Sequence, residues 1–315
     1  ILLVGVNLFA VNFFGEAEFW FSSIKIIAIL GIIATGIIMM LTGFNAPGAH
    51  GGPVSFGNIT HNFKFFPNGG MSFMQAFPMV FFAFVGIEFV GLMSAETKNP
   101  REVMPKVINT VLFRILIFYV GALAIIMSIY DWHYLPSNRS PFVFIFKLIG
   151  IHWAAALLNF VVLTAAMSAL NTLIYSAGRD VYALALENTG KWQSYFKVLS
   201  MKAIPSRAVL FSAILIMLTP IINALPIFES AFNFFASATA AITLVIYSLI
   251  MLAHRKYRAS ADYIEDGFKM PFYKIASPLT LAFFLFIFGT LFLDKTDMIA
   301  AFGGIAWTIG YGWYS

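Results

Sequence analysis

Long apolar runs alternate with short polar segments along the whole chain. In order, the runs cover residues 1–14, 19–41, 73–93, 111–130, 153–175, 209–225, 231–253, 278–293 and 298–313. A helix needs about 20 apolar residues to cross the hydrocarbon core, with about 17 as the short limit. The pattern predicts successive membrane spans from the second run onward. The first run is shorter and opens abruptly at Ile1, with no signal-peptide charge pattern, so it reads as the tail of a helix. The longest polar stretch, 41–71, is rich in Gly, Pro and Asn and reads as a loop on the outer side.

Composition turns that pattern into a class. Of the 315 residues, 60% are hydrophobic and 10% charged, against about 25% charged in an ordinary soluble chain. This is a polytopic helical membrane protein. The few cations fix its orientation. Lys98, Arg101 and Lys106 follow the third run, Arg179, Lys197 and Arg207 the fifth, and Arg255, Lys256 and Arg258 the seventh. The alternate segments hold only Lys64, Arg139, Lys147 and Lys295. Lys and Arg favour the cytoplasmic side, which places the first set there. The net charge of +5 is therefore a topology signal, and nucleic acid is excluded as a partner. With no cysteine there is no disulfide and no thiolate metal site.

Enzyme signatures are missing. The chain carries no GxSxG, HExxH or P-loop. His50, His61, His133, His152 and His254 lie scattered near loops and interfaces without metal-ligand spacing, so neither a metal nor a cofactor is expected.

Three stretches carry candidate chemistry. In the third run, "FFAFVGIE" places Gly86 and Glu88 at membrane depth, with Pro78 upstream. Gly weakens a helix by about 1 kcal/mol relative to Ala. A carboxylate at that depth is expensive unless it is paired, protonated or facing water. Broken helices that line a solute cavity are the recurring device of secondary transporters. The alternative is an unbroken helix packed closely through Gly86, with Glu88 bonded to a neighbour. In the second run, Lys25 lies about one and a half turns inside the apolar stretch. It either snorkels to the interface or stays away from water, where a Lys suits proton exchange. Glu16 and Glu18 precede that run and read as interfacial. The fifth run is dense in Thr164, Ser168, Asn171, Thr172 and Ser176. Such residues pack and bond helices together, and the face of Ser168, Asn171 and Thr172 also suits a solute path. Arg179 marks the cytoplasmic end.

The segments "FFGEAEFWFSSIKIIAI", "FFAFVGIEFVGLMSAETKNPREVMPKVINTVLFRILIFYV" and "SPFVFIFKLIGIHWAAALLNFVVLTAAMSALNTLIYSAGR" give the chain a resemblance. It resembles the bacterial amino acid transporter family of the amino acid–polyamine–organocation superfamily, closest to the D-serine/alanine/glycine type. The resemblance implies an all-α polytopic transmembrane bundle with a five-plus-five inverted repeat, read here as one permease membrane domain over 1–315. It runs from the end of the family's fourth helix through its twelfth and lacks the first helices. A chain without them is not expected to transport by itself.

The resemblance also assigns roles. Phe82 takes the place of an aromatic gate over bound substrate. Ala83, Phe84, Val85, Gly86 and Ile87 line the substrate with backbone, and Glu88 ties that helix to its neighbours. Lys25 resembles the Lys of proton-coupled relatives. Asn171 and Thr172 fall on the pocket face, with Ser168 and Arg179 in structural or gating positions. The implied activity is import of small neutral amino acids across the cytoplasmic membrane by proton symport and alternating access. The partners are the amino acid, the proton and the lipid bilayer. A transport-inactive sensor or accessory protein derived from a permease, or a membrane-embedded transferase, are the alternatives.

Overall fold

The computed structural model describes residues 2–9, 11–45, 53–60, 64–92, 94, 97–134, 140–148, 152–187, 190–201, 204–224, 231–264 and 269–314. The helices in chain order are α1 (Leu2–Phe9), α2 (Val11–Leu41), α3 (Gly57–Thr60), α4 (Gly69–Gln75), α5 (Phe77–Phe82), α6 (Phe89–Leu92), α7 (Pro100–Ile115), α8 (Ala122–Ile129) and α9 (Pro141–Leu148). They continue with α10 (His152–Glu187), α11 (Lys191–Phe196), α12 (Ser206–Asn223), α13 (Ala231–Arg258), α14 (Tyr273–Thr290) and α15 (Lys295–Tyr314). A π-helical turn, Leu116–Gly121, joins α7 to α8. Among the described residues there is no strand, and an isolated bridge pairs Asn45 with Pro53. Among the described residues, five stretches are long and apolar enough to cross a membrane: Glu18–Leu41, Pro100–Ile129, Ala155–Glu187, Phe232–Arg258 and Tyr273–Leu293. The all-α membrane bundle is as the apolar runs predict.

The ends of the runs differ from the ends of the helices. Gly15 and Glu16 separate the first two runs, yet α2 passes through both without interruption, because one Gly costs a helix only about 1 kcal/mol. The fourth run begins at residue 111, whereas its helix begins at Pro100, where a missing N–H costs nothing at a first helical position. The third run is divided into α4, α5 and α6.

The chain forms two compact units, Ile1–Phe63 with Phe113–Ile221, and Lys64–Leu112 with Ile222–Ser315. In the first, α2, α8, α9 and α10 pack around Ile32, Met39, Ile125, Ile129, Phe146 and Leu158. Gly36 makes the α2–α8 approach possible, since a Cβ there would lie 2.2 Å from Ile125 Cγ2. In the second, α5, α13, α14 and α15 pack around Ala241, Leu244, Ile287, Leu291 and Ala301, with Phe77 and Phe81 against them. Helices in lipid associate through close packing of small residues, and Ala240, Ala241 and Ala301 are fully buried. Ser237 on α13 adds a polar tie, donating to Asp297 Oδ1 on α15 at 2.5 Å.

Candidate substrate and coupling site

The helix of the third run stops at Phe82. Val85 N–H reaches back to the Phe82 carbonyl at 3.1 Å, and Phe84 N–H to the Phe81 carbonyl at 3.0 Å, so the chain tightens from α-helical to three-residue turns. Gly86 then takes φ +109°, a region that residues with a side chain rarely enter. Helical turns resume with Phe89 N–H on the Gly86 carbonyl at 3.2 Å. Among the described residues, the N–H groups of Ile87 and Glu88 and the carbonyl of Val85 have no partner. Backbone of this kind persists at membrane depth only where it is covered by protein or lines a cavity.

Glu88 holds the break in place. Its Oε2 accepts the Gly86 N–H at 2.8 Å and also the hydroxyl hydrogen of Tyr247 on α13. A charge-assisted bond to each neighbour compensates for the carboxylate's lost hydration. Phe82 sits at the end of α5 with its ring edge-on to Phe232, centroids 6.1 Å apart.

The other unit carries a polar seam. Lys25 Nζ on α2 donates to Ser168 Oγ on α10 at 2.8 Å. Ser168 in turn donates to Glu18 Oε1 at 2.5 Å, and Ser22 donates to the same oxygen at 3.2 Å. One hydroxyl thus links an ammonium to a carboxylate, accepting from the first and donating to the second. Next along the seam, Asn7 Nδ2 donates to Asn171 Oδ1 at 2.8 Å and to the Leu3 carbonyl at 2.9 Å. Thr164, Ser168, Asn171 and Tyr175 on α10 are all buried, and their spacing of four, three and four residues puts them on one helix face.

The residues singled out from sequence fall into two groups. Phe82, Ala83, Phe84, Val85, Gly86, Ile87 and Glu88 lie in the second unit, and Lys25, Ser168, Asn171, Thr172 and Arg179 in the first. Asn171 is 0% exposed, Thr172 bonds back to the Ser168 carbonyl at 3.2 Å, and the Arg179 guanidinium lies over the Tyr175 ring at 3.3 Å. Glu18, read as interfacial, is turned inward on Ser168. Its signal was present: Glu18, Ser22 and Lys25 recur at four and three residues, one face of α2. Asn7 stands as a polar residue in an apolar run. Tyr247 left no local signal, being 159 residues from its partner. Among the described residues, no group of at least three His, Asp or Glu comes together as a metal site.

A sequence profile described as Amino acid permease matches residues 1–314. The DL-alanine permease SerP2 of Lactococcus lactis subsp. cremoris (strain MG1363) is 45% identical, over 100% of this chain and 68% of that protein. The serine permease SerP1 of the same organism is 44% identical, over 100% of this chain and 70% of its own length. The D-serine/D-alanine/glycine transporter of Escherichia coli (strain K12) is 36% identical, over 99% of this chain and 67% of that protein. These are cell-membrane transporters, a class distinct from enzymes, and they match the chain along its whole length. The chain is a multi-pass membrane protein that belongs to the amino acid permease family.

Proposed function

We propose that the protein imports small neutral amino acids, of the serine, alanine and glycine class, by proton symport and alternating access. The observation that carries this reading is the break at 83–88. Its unpartnered Ile87 and Glu88 amides suit a carboxylate, and the Val85 carbonyl suits an ammonium group. The Glu88 charge is already met by Gly86 and Tyr247, so the break offers no spare counter-charge to a cationic side chain. Phe82 and Phe232 supply an apolar cover. The substrates in the names of SerP2, SerP1 and the D-serine/D-alanine/glycine transporter favour the same class. Asn171 and Thr172 are assigned to the substrate on family resemblance, as is the extent of one permease domain over 1–315.

Proton coupling rests on the Lys25–Ser168–Glu18 chain. A proton gained or lost at Lys25 changes the charge facing Ser168, and the hydroxyl passes that change to Glu18 by reorienting. Substrate choice is tested by uptake of labelled alanine into cells expressing the complete gene. Unlabelled serine and glycine should compete strongly, and lysine and phenylalanine weakly. Strong competition by lysine would exclude a neutral-substrate site.

A further inference from the structure

At the end of α13 that the cation pattern assigns to the cytoplasm, a cavity of about 620 Å³ is lined by Arg255, Arg258, Lys269, Phe272, Tyr273 and Lys274. The cavity lies within one unit of the chain. Among the described residues, no carboxylate comes within salt-bridge distance of any of these four cations. From 255 to 274, Asp262, Glu265 and Asp266 are outnumbered by Arg255, Lys256, Arg258, Lys269 and Lys274. Arg258 is held in place by aromatic rings, its guanidinium carbon 4.1 Å from the Tyr273 centroid and 5.0 Å from that of Tyr263. Tyr263 is itself braced edge-on by Tyr257 at 5.6 Å. Stacking occupies the faces of a guanidinium and leaves its edge of N–H donors for a ligand.

Topology alone does not require this arrangement. A positive-inside signal needs cations on the inner side, and splayed, solvated side chains would supply it. Here Arg255, Lys269 and Lys274, though exposed, line one cavity together with the half-buried, ring-stacked Arg258.

The cavity opens onto an apolar stripe. Phe272, Ile275 and Leu279 are 85%, 70% and 67% exposed; Ile275 and Leu279, four residues apart, share one side of α14, and Phe272 immediately precedes that helix. This helix belongs to the membrane-length stretch Tyr273–Leu293. A ligand that satisfies both features has an anionic head and a hydrocarbon body. We propose that the pocket binds the phosphate headgroup of an anionic phospholipid of the cytoplasmic leaflet, with its acyl chains along Ile275 and Leu279. A soluble phosphate would use the cations but leave the stripe uncovered.

The test uses the purified protein in nanodiscs of phosphatidylcholine containing a minor fraction of phosphatidylglycerol. Lipid retained on the protein after transfer to detergent is read by native mass spectrometry. The parent should retain phosphatidylglycerol in preference to phosphatidylcholine. Each of Arg255→Gln and Arg258→Gln should lower that retention about five-fold, with helicity by circular dichroism unchanged. Leu279→Ser should weaken phosphatidylglycerol retention while leaving binding of glycerol 3-phosphate as in the parent. Equal retention of the two lipids by the parent would overturn the proposal without reference to any variant. So would full retention by both Arg variants. Glycerol 3-phosphate bound as tightly as the phospholipid would identify a soluble-anion site and overturn the lipid assignment.

Discussion

Tyr247 on α13 reaches Glu88 in the break between α5 and α6: the Tyr247 hydroxyl donates to the same carboxylate oxygen that accepts the Gly86 N–H. One side chain therefore fixes the open backbone of 83–88 from within and anchors it to α13. The carboxylate that looked costly in an apolar run is what stabilises the break there.

The first prediction concerns that shared oxygen. Tyr247→Phe removes a hydrogen bond to a charged group, which costs about 1.5–3 kcal/mol. Glu88→Gln keeps the shape but weakens both bonds. In a double-mutant cycle on thermal stability, the two losses should be clearly less than additive, because each removes the same contact. Strict additivity would mean that the contact does not form in the membrane.

Gly86→Ala should disable the break. An added Cβ meets only ordinary contacts, the nearest being Phe89 Cδ2 at 3.7 Å. Its cost therefore comes from φ +109°, where a residue with a side chain is strained by about 1–3 kcal/mol. We expect initial uptake rates to fall about ten-fold or more, with the protein still inserted. Wild-type uptake by Gly86→Ala would show that the left-handed conformation is dispensable.

The seam in the other unit makes a separate prediction. Lys25→Ala should abolish gradient-driven accumulation, and Lys25→Arg should do the same, since Arg does not give up its proton at working pH. Glu18→Gln and Ser168→Ala should each impair accumulation, and combining them should add little, as both cut one hydrogen-bonded chain. A fully active Lys25→Arg protein would reduce Lys25 to a snorkelling cation.

Asn171→Ala should cost about 1 kcal/mol of stability, the worth of one buried hydrogen bond with some relief because Asn7 keeps the Leu3 carbonyl. Replacing Asn7 and Asn171 together by Leu should cost less than the two single changes summed, since neither amide is then left without its partner. Thermal unfolding of the purified variants reads both quantities.

What sequence made legible follows the range of the interactions. The apolar runs located the helices because bilayer thickness imposes a length on each. The break was visible because Gly86 and Glu88 are near neighbours and both unfavourable in a lipid-facing helix. The ends of α2 and α7 were less legible, since a helix continues through Gly15 and starts at Pro100 at little cost. The partners of the polar groups were not legible at all. Lys25 and Ser168 are 143 residues apart and Glu88 and Tyr247 are 159 apart, and only packing brings such pairs together.

The most direct measurement is accumulation of labelled alanine in vesicles containing the protein expressed from its complete gene, with and without an imposed pH gradient. Proton symport predicts transient accumulation above equilibrium when the compartment opposite the substrate is alkaline. A protonophore should abolish it, and Lys25→Arg should lack it. Accumulation that is the same with and without the gradient, or that survives the protonophore, would contradict proton coupling.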